Sequence, residues 1–510
     1  MKARYGHVFH GVDYSIPPHE LPPTALADAS NVVVNSNGLA QQRGGTLKLN
    51  NTPLGSKVTS FFEYRSGTTR NKLVTYADKI GLYVDNDSEF TPVITGLASG
   101  HMVQWVNFEG KAICVNEGYD NPQYFTDAST LGDLAGSPPK GNGIVKWANR
   151  IWFLGDSTNV ASLTGCELND PTGYAGAGAT AYVSQTVGDS KDPITGGIGF
   201  FDMLLVGKQN NIYRVYSSSG VSTDASTLSI KPLYQTENNV GFTSKWAITQ
   251  VGNDILFLDG YDIKRLSGIQ EFGDVEHISV IPHFRDFLRD TVDQNYLKYT
   301  QFFHYKKAQQ VWVSIPTSSN TYYVFVLDYQ FKQSTGRYSF YPQAGLTVSC
   351  LGGVENGQLV DMYYGDETGL VYKMDTNNND SGTAITSYTT NVFSGNNTET
   401  GELLMHEMRK QFFRTHAFIK PLTPELTMTP YYALDLFDSS SVRDSSNYTA
   451  LDSEVISSWQ GTGVKHSKPS LFGVAGNTVA LKWYHNTRIQ DYVIYPSSVD
   501  YEYKSETDIV

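Results

Sequence analysis

The sequence predicts an all-β protein built around a β-propeller. One strand–turn–strand phrase recurs along most of the chain, as in VGNDILFLDGYDIKRL at residues 251–266. The phrases start about 40 to 55 residues apart, which is the period of one four-stranded propeller blade. The composition agrees, because 33 Tyr, 25 Phe and 46 Gly accompany only 17% charged residues. Aromatic residues favour strands, and glycine favours turns.

Turn chemistry identifies the repeated phrase as a β-hairpin. Asp259-Gly260 separates two apolar runs, which is the strongest short hairpin signal. Five more clear phrases lie at residues 70–84, 108–125, 147–163, 199–215 and 355–374, and a weaker one with a longer loop lies at 304–329. We therefore expect six blades, with seven as the alternative. A β-sandwich also has short strands and frequent turns, but the period favours the propeller.

One segment departs from the β pattern. In ISVIPHFRDFLRDTVDQNYLK (278–298), Phe284, Phe287, Leu288 and Val292 recur at helical spacing. Pro282 stands where a helix can begin. The segment predicts one amphipathic helix of about three turns that packs on the propeller after its fifth blade.

The two chain ends predict a smaller β platform. Residues 1–55 contain a Pro-rich run and a short strand, and residues 376–510 contain a polar linker followed by alternating segments such as NTVALKWYH. We expect residues 56–375 to form the propeller. Residues 376–510 form the platform in this prediction, and residues 1–55 form an arm and a strand that join it.

Charge and cysteine content narrow the class of protein. The net charge is −13 and no basic stripe is present, so a nucleic-acid-gripping module is not expected. Cys114, Cys166 and Cys350 are far apart and odd in number, which predicts buried free thiols and folding in a reducing cytoplasm. No window approaches the ~20 apolar residues of a membrane span, so no membrane insertion is expected.

No motif predicts catalysis. His7, His10 and His19 lack metal-ligand spacing, and HEMRK (406–410) lacks the second His of a zinc protease motif. The Gly-rich stretches at 173–180 and 196–199 do not open a helix that carries a phosphate-binding Lys. We expect no catalytic residue, no metal and no cofactor.

The segment LPPTALADASNVVVNSNGLAQQRGG (21–45) resembles the start of many bacteriophage tail proteins, with Asn31, Val32, Gly38, Arg43 and Gly44 at the matching positions. The order of the segments that follow also resembles that in the tail hub and nozzle proteins of short-tailed phages (podoviruses), including packaged-DNA stabilisation proteins. That order is GGIGFFDMLLVGKQNNIYRVY (196–216), NNVGFTSKWAITQVGNDILFLD (238–259), IKRLSG and the ISVIPHFRDFL segment. The likeness spans about residues 20–300, and QFFRTHAFIKP fits more loosely.

This resemblance implies a non-enzymatic virion protein of the phage tail that folds in the host cytoplasm. It implies a homohexameric ring below the portal and the adaptor (head–tail connector) proteins. Packaged double-stranded DNA would be retained in the ring and later ejected through it, without sequence-specific binding. Tail fibres or spikes and a plug or needle protein would attach. The alternative is a glycan-binding or glycan-degrading propeller that acts as a receptor-binding tail protein, which the Tyr and Trp content favours.

The candidate contact residues lie in three segments. Asn31, Gly38 and Arg43 belong to the N-terminal phrase, where Arg43 either anchors a subunit contact or forms a surface salt bridge. The other candidates belong to two polar loops that we expect at the tip or the lumen of the ring: Ser218, Ser219 and Asp224 in residues 216–229, and Asn378 and Asn379 in residues 376–398. Phe284 and Phe287 are expected to pack within their own subunit.

Overall fold

The computed structural model describes residues 2–4, 9–22, 24–85, 87–233, 239–267, 277–330, 337–394, 408–451, 454–456, 463–488 and 490–504. Within these ranges the strands form seven propeller blades and two further sheets. The all-β propeller predicted from the repeat is confirmed.

Five short strands precede the first complete blade. They are β1 (Lys2–Arg4), β2 (Asp28–Ser30), β3 (Val32–Val34), β4 (Ala40–Gln42) and β5 (Thr46–Lys48). β1 to β4 belong to the two sheets outside the propeller, whereas β5 pairs with a propeller strand.

Six blades take four antiparallel strands from consecutive stretches of chain. Blade I contains β6 (Val58–Ser66), β7 (Thr69–Tyr76), β8 (Lys79–Val84) and β9 (Glu89–Thr95). Blade II contains β10 (Gln104–Phe108), β11 (Lys111–Val115), β12 (Gln123–Asp127) and β13 (Thr130–Asp133). Blade III contains β14 (Gly141–Trp147), β15 (Arg150–Asp156), β16 (Ser162–Gly165) and β17 (Val183–Thr186).

The next three blades follow the same order. Blade IV contains β18 (Gly196–Phe200), β19 (Met203–Gly207), β20 (Ile212–Ser217) and β21 (Leu228–Pro232). Blade V contains β22 (Ile248–Val251), β23 (Asp254–Asp259), β24 (Asp262–Ser267) and β25 (His277–Ser279). Blade VI contains β26 (Gln301–Tyr305), β27 (Gln310–Pro316), β28 (Tyr322–Asp328) and β29 (Ser339–Gln343).

Blade VII takes its strands from both ends of the part of the chain that forms the propeller. It contains β30 (Cys350–Asn356), β31 (Leu359–Gly365) and β32 (Val371–Met374), and β5 is its fourth strand, with Thr46 opposite Met374. β33 (Asn379–Asp380) and β34 (Thr383–Ala384) extend this sheet. The first strands of the blades contact one another in sequence, and β30 contacts β6, so these seven strands form a closed inner ring.

The expectation of six blades was one too low, and the alternative of seven is the count in the described residues. Each repeated phrase contains the second and third strands of one blade. The weak phrase at 304–329 contains β27 and β28 of a complete blade VI. Its turn at residues 317–321 contains no Gly and is closed by the Thr317 N–H bonded to the Thr321 carbonyl at 2.8 Å.

The helix after blade V is shorter than predicted. α1 (Arg285–Thr291) has seven residues, and a separate 3₁₀ helix (Gln294–Tyr299) follows it. Val292 is extended, and the Asp293 side chain accepts the Asn295 N–H and so starts the second helical segment. Phe284 and Leu288 are buried as predicted. The other helices in the described ranges are α2 (Ser439–Arg443) and 3₁₀ turns at Pro18–Glu20, Ala225–Thr227, Lys306–Ala308 and Ser445–Asn447.

The C-terminal strands and β1 to β4 form a two-sheet sandwich. One sheet has the order β1-β44-β36-β43-β4-β3 with β40 and β41 on β36, and the other has the order β2-β35-β42-β37-β38 with β39 on β37. The C-terminal strands are β35 (Ser387–Phe393), β36 (Lys410–Pro421), β37 (Leu426–Leu434), β38 (Thr449–Ala450), β39 (Glu454–Ile456), β40 (Lys465–Ser467), β41 (Ser470–Gly476), β42 (Val479–His485), β43 (Tyr492–Ile494) and β44 (Ser498–Tyr503).

The sandwich and the propeller share one hydrophobic core. That core contains residues of the sandwich, of blades V and VI and of α1. The rings of Phe284 and Phe340 stack with their centroids 3.8 Å apart, and the Val12 N–H donates to the Phe340 carbonyl at 2.9 Å. Because β5 belongs to blade VII, the N-terminal 55 residues do not all join the platform as we had expected.

Candidate functional site

Asn31 and Arg43 lie at the junction between the sandwich and blade VII. The Arg43 guanidinium binds both carboxylate oxygens of Asp380, at 2.9 and 2.5 Å, and its Nε donates to the Asn31 side-chain oxygen at 2.9 Å. The Asn31 side chain donates to the Thr386 carbonyl at 2.8 Å. We call Asn31, Arg43 and Asp380 the N-terminal latch.

The latch corrects the expected role of Arg43. Its side chain is only 1% exposed and that of Asp380 is 24% exposed, so the guanidinium lies below the surface and its ion pair joins two parts of one chain. Gly38 is also buried and forms the turn between β3 and β4 with a φ of 77°. The residues of the N-terminal phrase therefore hold one chain together.

Asn378 and Asn379 lie beside the latch. The Asn379 side-chain oxygen accepts the Gly382 N–H at 2.6 Å, and the Asn378 carbonyl accepts a hydrogen bond from the Gln42 side chain at 3.4 Å. The structure thus brings these two residues together with Asn31 and Arg43. Residues 395–398 of this predicted loop, His7 and residues 406–407 of HEMRK lie outside the described residues.

Ser218, Ser219 and Asp224 lie elsewhere, in the loop between β20 and β21 of blade IV. Asp224 accepts the backbone N–H and the hydroxyl of Ser226 and so caps a 3₁₀ turn. This loop joins the Gly-rich loop of blade III through the Ala225 N–H, which donates to the Ala179 carbonyl at 2.8 Å.

A buried arginine holds the same two loops together. Arg150 is fully buried and donates to the carbonyls of Ala179, Thr223 and Ala181 at 3.0, 3.2 and 2.7 Å. A guanidinium that binds carbonyls on two loops limits their movement relative to each other. The Gly-rich stretch at 173–180 is therefore part of a bonded pair of loops.

The inner strands surround a central axis with two mouths. We call the end where these strands begin the start mouth and the end where they finish the end mouth. A cavity of about 600 Å³ lies at the end mouth, beside blades I to III. Its aromatic lining includes Phe62 and Trp105, which stack with their centroids 5.4 Å apart.

Charged residues of opposite sign lie beside this cavity. Arg65 and Arg70 both pair with Glu355, and the Arg70 Nη2 lies 3.3 Å from its carboxylate. Both arginines also lie within 4 Å of Glu63, whose pKa is raised because burial disfavours its charged form. The two arginines are thus paired with carboxylates of the same chain, and the cavity is not an unbalanced basic pocket.

Lys245 lies at the start mouth and connects distant blades. It precedes blade V, passes Gly196 of blade IV and donates to the backbone and side-chain oxygens of Asn142 in blade III at 2.6 and 3.0 Å. Its ammonium also lies 3.5 Å from Glu117 of blade II. The side chain therefore spans part of this mouth and links the start of blade V to blades III and II.

Burial changes the titration of this lysine. Lys245 is buried and its pKa is lowered to about 8, because desolvation disfavours the charged form more than Glu117 stabilises it. Glu117 also contacts His101 at 3.2 Å, and the His101 ring stacks on Tyr119. Nothing in the sequence pattern indicated this cluster, because its members come from four separate segments.

The described residues contain no group of three or more His, Cys, Asp and Glu side chains placed to hold a metal ion. Cys114, Cys166 and Cys350 are free and buried, as predicted. None of the described helices is both long and apolar enough to cross a membrane.

No protein-family model matches the chain, and no curated protein matches it. Among solved structures, the chain is similar to a streptogramin B lyase, with 12% identity, a TM-score of 0.43, and coverage of 65% of this chain and 97% of that one. It is also similar to the Cps50 (Swd1) β-propeller domain of Myceliophteria thermophila, with 11% identity, a TM-score of 0.39, and coverage of 66% and 99%. Both neighbours are propellers, and these low scores carry no argument about function.

Proposed function

We propose that this chain is a non-enzymatic tail hub or nozzle subunit of a short-tailed phage, which forms a ring around the path of DNA. The observation that carries the proposal is the position of the segment that resembles tail proteins. Residues 21–45 contain β2, β3, β4 and two of the three latch residues. The segment that resembles tail proteins therefore contains residues that join the sandwich to the propeller. We propose that the likeness to tail proteins includes both the sandwich and the propeller.

In this proposal DNA passes between several copies of the chain and not along the axis of one propeller. Lys245, Asn142 and Glu117 occupy part of the start mouth. A ring of copies places the conduit on the symmetry axis of the assembly. The net charge of −13 supports passage without adhesion, since an acidic wall repels phosphate groups.

The proposed contact surface includes the joined loops of blades III and IV. Tyr182, Phe201 and Val221 belong to the inter-strand connections of these blades, and they are 39%, 62% and 54% exposed. Tyr182 and Val221 lie on the two joined loops, and Phe201 lies in the turn between β18 and β19 of blade IV. A group of exposed apolar side chains is typical of a protein contact surface. Connector proteins, tail fibres or spikes, and a plug or needle protein are the other partners in this proposal.

Mass photometry of the purified chain, alone and with phage particles that lack it, tests the proposal. We expect a ring-sized species, with six copies as the leading stoichiometry, either in solution or on the particles. The particles should retain their DNA only when the chain is added. A chain that remains monomeric under both conditions and leaves DNA retention unchanged would refute the hub function.

A glycan-binding function is the second candidate, and the end-mouth cavity favours it. Phe62 and Trp105 form a stacked aromatic pair there, and sugars bind to aromatic faces. A glycan array probed with the chain and with Trp105→Ala tests this candidate. Binding that disappears in the variant would favour receptor recognition over a purely structural role.

A further inference from the structure

The outer face of the eight-stranded sheet holds a pair of histidines beside an aspartate. His416 lies on β36, between β40, which contains His466, and β44, which contains Asp500. The register shift at Phe412/Arg414 precedes this part of β36. Beyond it, Ala417 and Ile419 are buried, whereas the alternate residue Phe418 is 42% exposed.

The three side chains form a continuous chain of contacts. The His416 Nε2 lies 2.7 Å from the Asp500 carboxylate, and its Nδ1 lies 3.0 Å from the His466 Nε2. A carboxylate that accepts the Nε2–H fixes the His416 tautomer with a lone pair on Nδ1. With this tautomer the His416 Nδ1 accepts a hydrogen bond from the His466 Nε2–H.

We propose that His416 and His466 form an open binding site for a divalent transition-metal ion such as Zn²⁺, and that Asp500 orients His416. Metal-bound histidines almost always donate their other ring N–H to a carboxylate or a carbonyl, which is the arrangement seen here. Imidazole nitrogen is a preferred ligand of Zn²⁺, Ni²⁺ and Cu²⁺. Binding through the His466 Nε2 moves the proton of that nitrogen to the Nδ1 of the same ring, so both histidines bind the ion as neutral imidazoles.

The spacing of the rings fits this site. The ring centroids of His416 and His466 are 5.1 Å apart. Two imidazoles around one tetrahedral ion with metal–nitrogen bonds of ~2.0 Å place their facing nitrogens ~3.3 Å apart. Ligation therefore needs the two rings to pivot toward a common point and little change in their separation.

The site is accessible and incomplete. His466 is exposed and the Asp500 side chain is 30% exposed, whereas the His416 side chain is 7% exposed, so an ion from solvent reaches the site from the His466 side. Because the described residues offer no cluster of three ligands, water fills the remaining coordination positions. Such a site binds metal reversibly and is distinct from a closed structural zinc site.

Calorimetric titration of the untagged full-length chain with ZnCl₂, after EDTA treatment and dialysis, tests this site. We expect about one ion per chain, at least tenfold weaker binding in His416→Ala and His466→Ala, and 10–100-fold weaker binding in Asp500→Asn. His304→Gln is the control, because it removes an imidazole in blade VI, and its affinity should equal that of the wild-type chain.

A spectroscopic measurement complements the titration. Cu²⁺ bound to the wild-type chain should show coupling to two imidazole nitrogens by electron paramagnetic resonance. The His466→Ala variant should show fewer nitrogens, and since His466 is exposed, this variant should fold. Unchanged Zn²⁺ affinity in His466→Ala, or no stoichiometric Zn²⁺ binding by the wild-type chain, would overturn the proposal.

Discussion

Arg43 and Asp380 are 337 positions apart in the chain and form a two-pronged ion pair at the junction of the propeller and the sandwich. Arg43 directly precedes the segment that leads into β5, and Asp380 lies on β33 of the blade VII sheet. The pair therefore fastens the closing strand of the propeller next to the strands that enter the sandwich. Through this contact the N-terminal phrase joins the sandwich to the propeller.

Replacement of Arg43 by Ala should destabilise the chain by about 3 kcal/mol, because it leaves the Asp380 carboxylate without its partner. Arg43→Lys keeps the charge but loses the two-pronged geometry, so the stability of this variant should lie between those of the wild-type chain and Arg43→Ala. Urea unfolding followed by fluorescence measures both. A midpoint for Arg43→Ala equal to that of the wild-type chain would show that the latch does not stabilise the fold.

Replacement of Leu47 by Pro should open the propeller at blade VII. Leu47 pairs with Lys373, and two residues later the Leu49 N–H donates to the Val371 carbonyl at 2.7 Å. Proline removes an N–H from this ladder. Limited proteolysis should cleave the variant faster between residues 43 and 57. Leu47→Ala is the matched control, since the Leu47 side chain is 50% exposed, and it should resist cleavage like the wild-type chain.

The free energy of unfolding should increase between pH 8 and pH 10.5 because of Lys245. Its pKa is about 8 in the folded chain, against an ordinary value of 10.5. Between these values the unfolded chain binds more protons, so the contribution of Lys245 to stability rises with pH. The wild-type chain should gain on the order of 3 kcal/mol relative to Lys245→Met from pH 8 to pH 10.5. A constant difference between the two unfolding free energies would show that the lysine titrates normally.

The three cysteines should resist alkylation while the chain is folded. Burial raises the pKa of the Cys166 thiol to about 11 and that of Cys350 to about 12, and it raises that of Cys114 as well. Thiolate is the reactive form, so iodoacetamide at pH 8 should modify them only after denaturation. Mass spectrometry counts the modified thiols. Rapid modification of the native chain would contradict their burial.

The double substitution Phe201→Asp with Val221→Asp should prevent ring assembly without unfolding the chain. Phe201 lies in the β18–β19 turn and Val221 in the β20–β21 loop, and both side chains are more than half exposed, so charges there should disturb contacts and not the core. Leu422→Asp, at a 44% exposed residue of the sandwich, is the control for added charge. Rings of normal size in the double variant would exclude this surface from the contact.

The strand and turn patterns of the sequence predicted the blades well, because the second and third strands of each blade form a hairpin from neighbouring residues. Asp259 ends β23 and pairs with Asp262 of β24, and Gly260 lies in the turn between them with a φ of 59°. The blade count was one too low because the weak phrase at 304–329 belongs to a complete blade VI. The fourth strand of blade VII was also missed, because β5 has three residues and such a short strand leaves no periodic signal. The length of α1 was overestimated because apolar spacing alone does not reveal the new cap at Asp293.

The candidate site residues were predicted less well, for a physical reason. Arg43 and Asn31 were noticed in the sequence, but their burial depends on Asp380 and Thr386, which fold back from the other end of the chain. Lys245 and Glu117 meet across blades and are 128 residues apart. Sequence spacing carries no information about such contacts, and they follow only from the closed ring.

Cryo-electron microscopy of the purified chain bound to phage particles that lack it is the most direct test of the hub function. We expect a six-fold ring with an open axial channel below the adaptor, in which each subunit shows a seven-bladed propeller joined to a sandwich. Isolated subunits at the tips of fibres, with no ring and no shared channel, would contradict the hub function and favour receptor binding.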